Sequence, residues 1–145
     1  MKKLFFSILM LLPILGFSEL DVNKVTNVLS NIEATKPLKY FNGNASLTDK
    51  FQKTSHSLTF TSLADADILL MSKVEDGSKL VITDSYEKLK HSNHSVIGAI
   101  YTKKNRTQIF LIKERLKENG LRVSSKMKKY LISECYLNLV CLLES

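Results

Sequence analysis

Two apolar runs in the middle of the chain have the length of buried β-strands. One covers 66–71 and the other 79–83, and a turn sequence, Glu75-Asp76-Gly77-Ser78, separates them. Neither run shows the regular apolar–polar alternation of a strand that has one face in water. Strands that are apolar on both faces are typical of parallel sheets covered by helices, so the two runs predict an α/β arrangement.

Helical spacing and turn residues flank this pair of strands. Apolar residues recur every three or four positions after Asp21, which is a suitable helix cap. Gly43, between two asparagines, indicates a turn. The predicted elements are a helix that begins after Asp21 and ends before Pro37, strands at 38–41 and 57–61, a helix at 46–52, and a helix at 86–90 capped by Asp84 or Ser85.

The second half of the pattern predicts a β-hairpin and then two helices. Strands at 96–102 and 107–112 flank Lys103-Lys104-Asn105-Arg106, in which Asn105 can adopt the left-handed conformation of a tight turn. A helix at 113–119 is expected to end at Gly120. The last helix is expected to start at Ser124 or Ser125 and to carry Met127, Tyr130, Leu131 and Glu134 at helical spacing, before an apolar tail at 136–143.

These elements together predict an α/β fold. We expect a single small domain with a mixed sheet, parallel central strands, a C-terminal hairpin and flanking helices. The apolar tail must pack on the core or against another molecule, because it would otherwise be an exposed apolar patch.

The amino-terminal residues have the layout of a cleaved secretory signal peptide. Lys2 and Lys3 precede an apolar segment at 4–15, and small residues follow at Gly16 and Ser18. The apolar segment is shorter than the roughly 20 residues that a spanning helix needs. We therefore expect 1–18 to be removed, leaving 19–145 as one α/β domain in the periplasm.

The exported chain is basic, and its cations concentrate in one stretch. Loss of Lys2 and Lys3 with the leader lowers the net charge from +7 to +5. Ten Lys and Arg residues lie between 103 and 129, against only Glu114 and Glu118. The stretch has few aromatic residues for base stacking, so no nucleic-acid partner is expected. It is either a solvated face or a surface for acidic groups on a partner protein or the membrane.

Cys135 and Cys141 are the only two cysteines in the chain. Export makes a disulfide chemically feasible. If the segment is an α-helix, however, six residues separate the two Cα atoms by about 9 Å, which a disulfide does not span. The helical interpretation therefore favours buried, reduced thiols.

The sequence contains no strong catalytic or metal-binding pattern. His91 and His94 could be two metal ligands, but a site needs further ligands and only His56 remains. No glycine-rich phosphate loop or nucleophile elbow is present. Asp84, like Asp65 and Asp67, lies at an end of a predicted strand, but it is more simply explained as a helix cap. We expect no enzyme activity, no metal and no cofactor.

The stretch from 64 to 132 resembles the YfiR-like family. The sequences Val96-Ile97-Gly98-Ala99-Ile100-Tyr101 and Ile109-Phe110-Leu111-Ile112 are similar to its hairpin strands. The sequence Gly120-Leu121-Arg122-Val123-Ser124-Ser125 is similar to the segment that opens its last helix. Upstream, Leu80-Val81-Ile82-Thr83-Asp84-Ser85 resembles the strand and turn of the family.

This resemblance implies a regulatory function without catalysis. YfiR-like proteins are compact periplasmic α/β domains that bind the sensor part of a membrane-bound diguanylate cyclase and restrain it, which controls cyclic-di-GMP signalling. We therefore expect a membrane-bound sensor protein, a cyclase or a kinase, as the partner. Contact with the membrane surface and formation of a homodimer stay open. Charge and apolarity, not family motifs, select the expected contact residues Lys103, Lys104, Arg106, Tyr130 and Leu137.

The alternative is a small module that binds a solute. Two buried strands that end at Asp67 or Ser72 and at Thr83-Asp84-Ser85 could present polar groups to a small ligand at the carboxyl edge of the sheet.

Overall fold

The computed structural model describes residues 19–71, 78–138 and 141. The predicted signal peptide at 1–18, Ser72 and most of the predicted turn at 75–78 lie outside the described residues. Helices and strands alternate along the described chain. They are α1 Val22–Ser30, β1 Ile32–Glu33, β2 Lys39–Phe41, α2 Ala45–Thr54, β3 Thr59–Phe60, β4 Ile68–Leu70, β5 Leu80–Thr83, α3 Tyr86–Lys90, β6 Val96–Lys103, β7 Arg106–Ile112, α4 Lys113–Glu118, β8 Arg122–Val123, a first 3₁₀ helix Ser125–Tyr130, β9 Leu131–Ile132, and a second 3₁₀ helix Glu134–Asn138.

Seven of the strands form one mixed sheet in the order β3-β2-β4-β5-β6-β7-β9. Neighbouring strands from β3 to β6 are all parallel, whereas β6 and β7 form an antiparallel hairpin. β9 lies parallel to β7 at the edge, and β1 pairs with β8 in a separate two-stranded sheet. The predicted fold class, a small α/β domain with parallel central strands and a C-terminal hairpin, is confirmed.

Apolar side chains are buried on both faces of the sheet, as the two apolar runs predicted. On one face, Leu29 of α1 and Phe51 of α2 pack with strand residues such as Ile82. On the other face, Leu89 of α3 and Leu137 of the second 3₁₀ helix pack with Val81, Val96, Ala99 and Ile112. The helices therefore hold the sheet between two apolar layers.

Side-chain caps fix the starts of α1, α2 and α3. The Asp21 carboxylate accepts a hydrogen bond from the Lys24 N–H, as expected for the cap of α1. Ser85, not Asp84, caps α3, because its hydroxyl accepts from the Lys88 N–H at 3.0 Å. The predicted end of the first helix near Pro37 is wrong. α1 ends at Ser30 because the chain then enters β1, which pairs with β8.

The predicted last helix is wrong. In its place the chain forms a 3₁₀ helix, the short strand β9 and a second 3₁₀ helix. Leu131 and Ile132 pair with Leu111 and Ile112 of β7, which is a contact between distant parts of the sequence. Helical spacing cannot reveal such pairing, because the hydrogen bonds of β9 come from another strand.

The expectation of reduced thiols is also wrong, because Cys135 and Cys141 form a disulfide. The second 3₁₀ helix covers only Glu134–Asn138, so the segment between the cysteines is not one continuous α-helix. The chain instead brings the two Cα atoms to 5.2 Å from each other, within the range that a disulfide spans.

Candidate partner-binding surface

The tip of the β6–β7 hairpin carries three exposed cations. Lys103 pairs with Arg106 across a two-residue turn formed by Lys104 and Asn105. Both turn residues have positive φ, 51° and 64°, which matches the right-handed twist of the two strands. The left-handed conformation expected for Asn105 is therefore confirmed. Lys103, Lys104 and Arg106 project into solvent, and none forms an ion pair with a carboxylate of the described residues.

A groove of about 850 Å³ lies beside the first part of β7. Its walls are the first two turns of α1 and the end of the first 3₁₀ helix, which contribute Lys24, Lys129 and Tyr130. The Lys24 and Lys129 ammonium groups lie 5.7 and 5.2 Å from the centre of the Tyr130 ring, within the distance of a cation–π contact. Tyr130, which we expected at a contact surface, therefore lies in a partly exposed basic setting.

Thr107 holds the start of α1 against β7. Its hydroxyl oxygen accepts from the Asp21 N–H at 2.7 Å, and its carbonyl accepts from the Lys24 Nζ at the same distance. These bonds place Lys24 beside the residue that follows Arg106. The groove therefore begins close to the hairpin tip, although Arg106 is not among the residues that line it.

The outer edge of β7 is only partly paired. β9 pairs with Leu111 and Ile112, and no strand of the described residues pairs with the edge from Arg106 to Phe110. Backbone groups alternate in direction along an antiparallel strand, and the Thr107 carbonyl points outward to Lys24. Ile109, two residues further along, therefore presents its N–H and carbonyl in the same outward direction, towards the groove that it lines.

The basic stretch from 103 to 129 is not one surface. Arg115 is 2% exposed, and its guanidinium meets the Glu134 carboxylate through two nitrogens at 2.7 and 2.6 Å. Arg122 forms an ion pair with Glu33 at 3.0 Å. Lys113 and Lys117 lie on α4, which begins at the far end of β7, and a strand of that length spans about 20 Å. The surface at the hairpin tip and the groove therefore carries only some of the ten Lys and Arg residues that the sequence places between 103 and 129.

Leu137 does not belong to this surface. It is 1% exposed and packs in the second core with residues such as Leu89 and Ile112. The expectation that Leu137 offers exposed apolar surface to a partner is wrong. The 3₁₀ turn that holds it folds back under the sheet, which the apolar composition of the tail alone could not predict.

Arg115 and Glu114 connect α4 to the second 3₁₀ helix. The Arg115 guanidinium also donates to the Ser92 hydroxyl and to the carbonyls of Asn93 and Val96. Burial acts to raise the pKa of Glu114, but hydrogen bonds from the Ser133 hydroxyl and the Glu134 N–H outweigh it, so that the pKa lies below its usual value. These contacts are structural and lie away from the groove.

A second cleft, of about 800 Å³, lies at the amino ends of the parallel strands. Asp67 lies there and forms an ion pair with Lys36 at 3.2 Å, while His94 Nδ1 lies 2.8 Å from a Glu118 oxygen. Burial acts to raise the pKa of Asp67, but hydrogen bonds from the Lys39 N–H and Lys36 and the charges of both lysines lower it below its usual value.

The polar groups expected at one sheet edge lie at two. Asp67 precedes β4, at the amino edge, whereas Asp84 and Ser85 follow β5, at the carboxyl edge. Asp67 therefore does not belong to the ligand site predicted at the carboxyl edge, because it begins a strand and does not end one, whereas the alternative residue, Ser72, lies outside the described residues. Among the described residues, no three His, Cys, Asp or Glu side chains gather as a metal site would require.

Sequence reasoning missed Lys24 and the free part of the β7 edge. Lys24 has no local signal, since it is one polar residue on an amphipathic helix, and only the tertiary bond to Thr107 brings it to the groove. The edge was hidden because β9 was predicted as part of a helix.

No protein-family model matches the chain, and no characterised protein matches it significantly in sequence. Within the described residues, no helix combines the length and apolarity that crossing a membrane requires. The disulfide is compatible with folding in an oxidising compartment outside the cytoplasm.

Proposed function

We propose that this chain is a periplasmic regulatory binding protein that acts by contact with a membrane-bound sensor. The resemblance to YfiR-like repressors of diguanylate cyclases supports this class of function, and the Cys135–Cys141 disulfide supports a location outside the cytoplasm. The expected partner is the periplasmic part of a sensor whose output is cyclic-di-GMP signalling.

The observation that carries the proposal is the set of unpaired cations at the hairpin tip. Lys103, Lys104 and Arg106 share one tight turn, project into solvent and have no carboxylate partner among the described residues. The tight turn brings these three positive charges together at one exposed site, which attracts an acidic surface on a partner. The proposed role of the tip is the first contact with the partner.

Regulation by contact needs only a modest energy. A sensor with two conformations changes its output when a binding protein prefers one of them by a few kcal/mol. A small domain with a basic contact surface is sufficient for this task, and no chemical step by the chain itself is required.

Site-directed crosslinking in cells tests the proposal. A photo-crosslinking residue in place of Lys103 is expected to capture an inner-membrane protein with an acidic periplasmic domain. The same residue in place of Lys117, on α4, is the matched control and should not capture it. Reversing two tip charges (Lys104→Glu with Arg106→Glu) is expected to abolish capture at position 103, whereas Lys113→Glu with Lys117→Glu should leave it. Capture of no membrane sensor would contradict the proposed function.

The proposed periplasmic location can be tested separately from the proposed partner. Release by osmotic shock should recover the chain without residues 1–18, as mass spectrometry of the intact protein would show. A chain that retains Met1 and stays in the cytosolic fraction would exclude a periplasmic role.

A second candidate function is the binding of a small solute. The observation that favours it is the cleft at the amino ends of the strands, where Lys36, Asp67, Lys79 and His94 combine both signs of charge. A thermal-shift screen with metabolites separates the two functions. A bound metabolite should raise the melting temperature as its concentration increases above its Kd, whereas a module that binds only protein should not respond.

A further inference from the structure

We propose that the groove beside β7 holds a short, extended, acidic segment of the partner protein, paired as an added strand with the free edge of β7. This inference rests on the proposed function and specifies how the partner is recognised. It concerns the groove residues Lys24, Ile109, Lys129 and Tyr130, together with Arg106 at the adjacent hairpin tip.

The first argument is the backbone of β7. The outward N–H and carbonyl of Ile109 face the groove and pair with no strand in the part of the chain that the structure describes. The Ile109 side chain is held in the core, and the residue is only 4% exposed overall. An edge strand with a free donor and acceptor pairs readily with an extended peptide. The position of an added strand would be limited on both sides of Ile109. The Thr107 carbonyl already accepts a hydrogen bond from Lys24, and Leu111 already pairs with β9.

The second argument is charge. Lys24 and Lys129 stand over the Tyr130 ring at one side of the groove. Arg106 is exposed and directly precedes Thr107, whose carbonyl accepts from Lys24. Among the described residues that line the groove, Asp21 alone is acidic, and its carboxylate accepts a hydrogen bond from the Lys24 N–H at the helix cap. A peptide with carboxylates at alternate positions would direct them to one side, towards these cations.

These two arguments together favour a peptide over a lipid surface. A headgroup phosphate can pair with lysines, but it cannot donate a hydrogen bond to a strand carbonyl as a peptide N–H does.

Binding of synthetic peptides tests the inference directly. The probe is a dye-labelled peptide of eight residues in which glutamate alternates with threonine, titrated with the purified protein by fluorescence anisotropy. A matched peptide with glutamine for glutamate is expected to bind at least about tenfold more weakly, because the charge pairs are lost. A peptide with prolines at its two central positions should also bind about tenfold more weakly, because proline cannot donate to the strand edge.

Protein variants locate the binding. The double variant Arg106→Glu with Lys129→Glu is expected to lower the affinity for the glutamate peptide at least about tenfold, because the new charges repel it. Lys113→Glu with Lys117→Glu changes the net charge equally at the other end of β7 and should leave the affinity within about twofold, since exposed distant charges are screened. The backbone amide signal of Ile109 should shift on titration in the NMR spectrum.

Three results would overturn the inference. One is an equal loss of peptide affinity in the two double variants, which would mean that the peptide is attracted by the net charge of the protein and not by the groove. Another is an Ile109 amide signal that does not move. The third is binding to phosphatidylglycerol vesicles through Arg106 and Lys129 without any peptide binding, which would assign the surface to a membrane.

If crosslinking from position 103 still captures the sensor while the peptides do not bind, the strand pairing is wrong and the proposed function stands. If no sensor is captured at all, the proposed function fails by itself.

Discussion

Single polar groups determine much of how this small domain is held together. Arg115 is the clearest example, since one buried guanidinium satisfies Glu134, Ser92 and two backbone carbonyls in three separate segments. A buried charge is tolerated only when it is paired and hydrogen-bonded in this way. The sequence count had assigned Arg115 to a basic surface, although its role is structural.

Thr83 is the opposite case, because its buried hydroxyl has no hydrogen-bond partner among the described residues. Thr83→Val replaces the hydroxyl with a methyl group of similar size and should stabilise the protein by about 1 kcal/mol. Thr107→Val is the matched control, since it removes the acceptor of the Asp21 N–H and should destabilise by a similar amount. Urea unfolding of both variants measures the difference. Loss of stability in Thr83→Val would contradict the prediction.

The lowered pKa of Glu114 predicts that the stability of the protein depends on pH. Its folded pKa lies below the usual 4.5, so its contribution is complete above that value and is lost as the pH falls towards the folded pKa. Glu114→Gln should therefore show a smaller decrease in unfolding free energy than the parent between about pH 5 and pH 3. Glu87→Gln, on the exposed face of α3, controls for net charge. Identical slopes for the parent and Glu114→Gln would exclude the predicted role.

At the level of elements, strands that are buried on both faces were predictable and strand pairing at the edge was not. The runs that became β4 and β5 carry their own signal, because both faces are covered by apolar layers. β9 has only two residues and takes its hydrogen bonds from β7. The helical spacing of its residues was therefore misleading. Because the segment was predicted to be one helix, neither the groove beside β7 nor the Cys135–Cys141 disulfide was expected.

The hairpin depends on a close approach at Gly98. A Cβ there would lie 2.8 Å from Leu111 Cδ2 and closer still to the Phe110 carbonyl oxygen. Gly98→Ala should therefore destabilise by about 2 kcal/mol, because the two strands would have to separate. Gly43→Ala is the control, since no atom lies within 4 Å of its Cβ, and it should be neutral or slightly stabilising. Equal thermal unfolding midpoints for the two variants would contradict the close approach.

At the level of the whole molecule, the fold class was predictable, but the proposed binding surface was only partly so. The hairpin-tip cations were identified from the sequence because they are local to one turn. Lys24 and the β7 edge required the tertiary structure, since they come from parts of the chain about 80 residues apart, as the Lys24–Thr107 bond shows with a separation of 83.

The disulfide contributes to the stability of the whole domain. It closes a short loop, with a sequence separation of 6, next to the core residue Leu137. Cys135→Ser with Cys141→Ser should lower the unfolding free energy by about 2 kcal/mol through greater freedom of the unfolded chain. Dithiothreitol should lower the urea midpoint of the parent and leave that of the double variant unchanged. A parent that does not respond to the reductant would contradict this contribution.

Leu137 also affects the order in which the protein can mature. The ribosome makes this residue after every strand of the sheet, and one apolar layer stays incomplete until it arrives. A nascent chain therefore cannot complete this apolar layer until the segment that follows β9 has emerged from the ribosome.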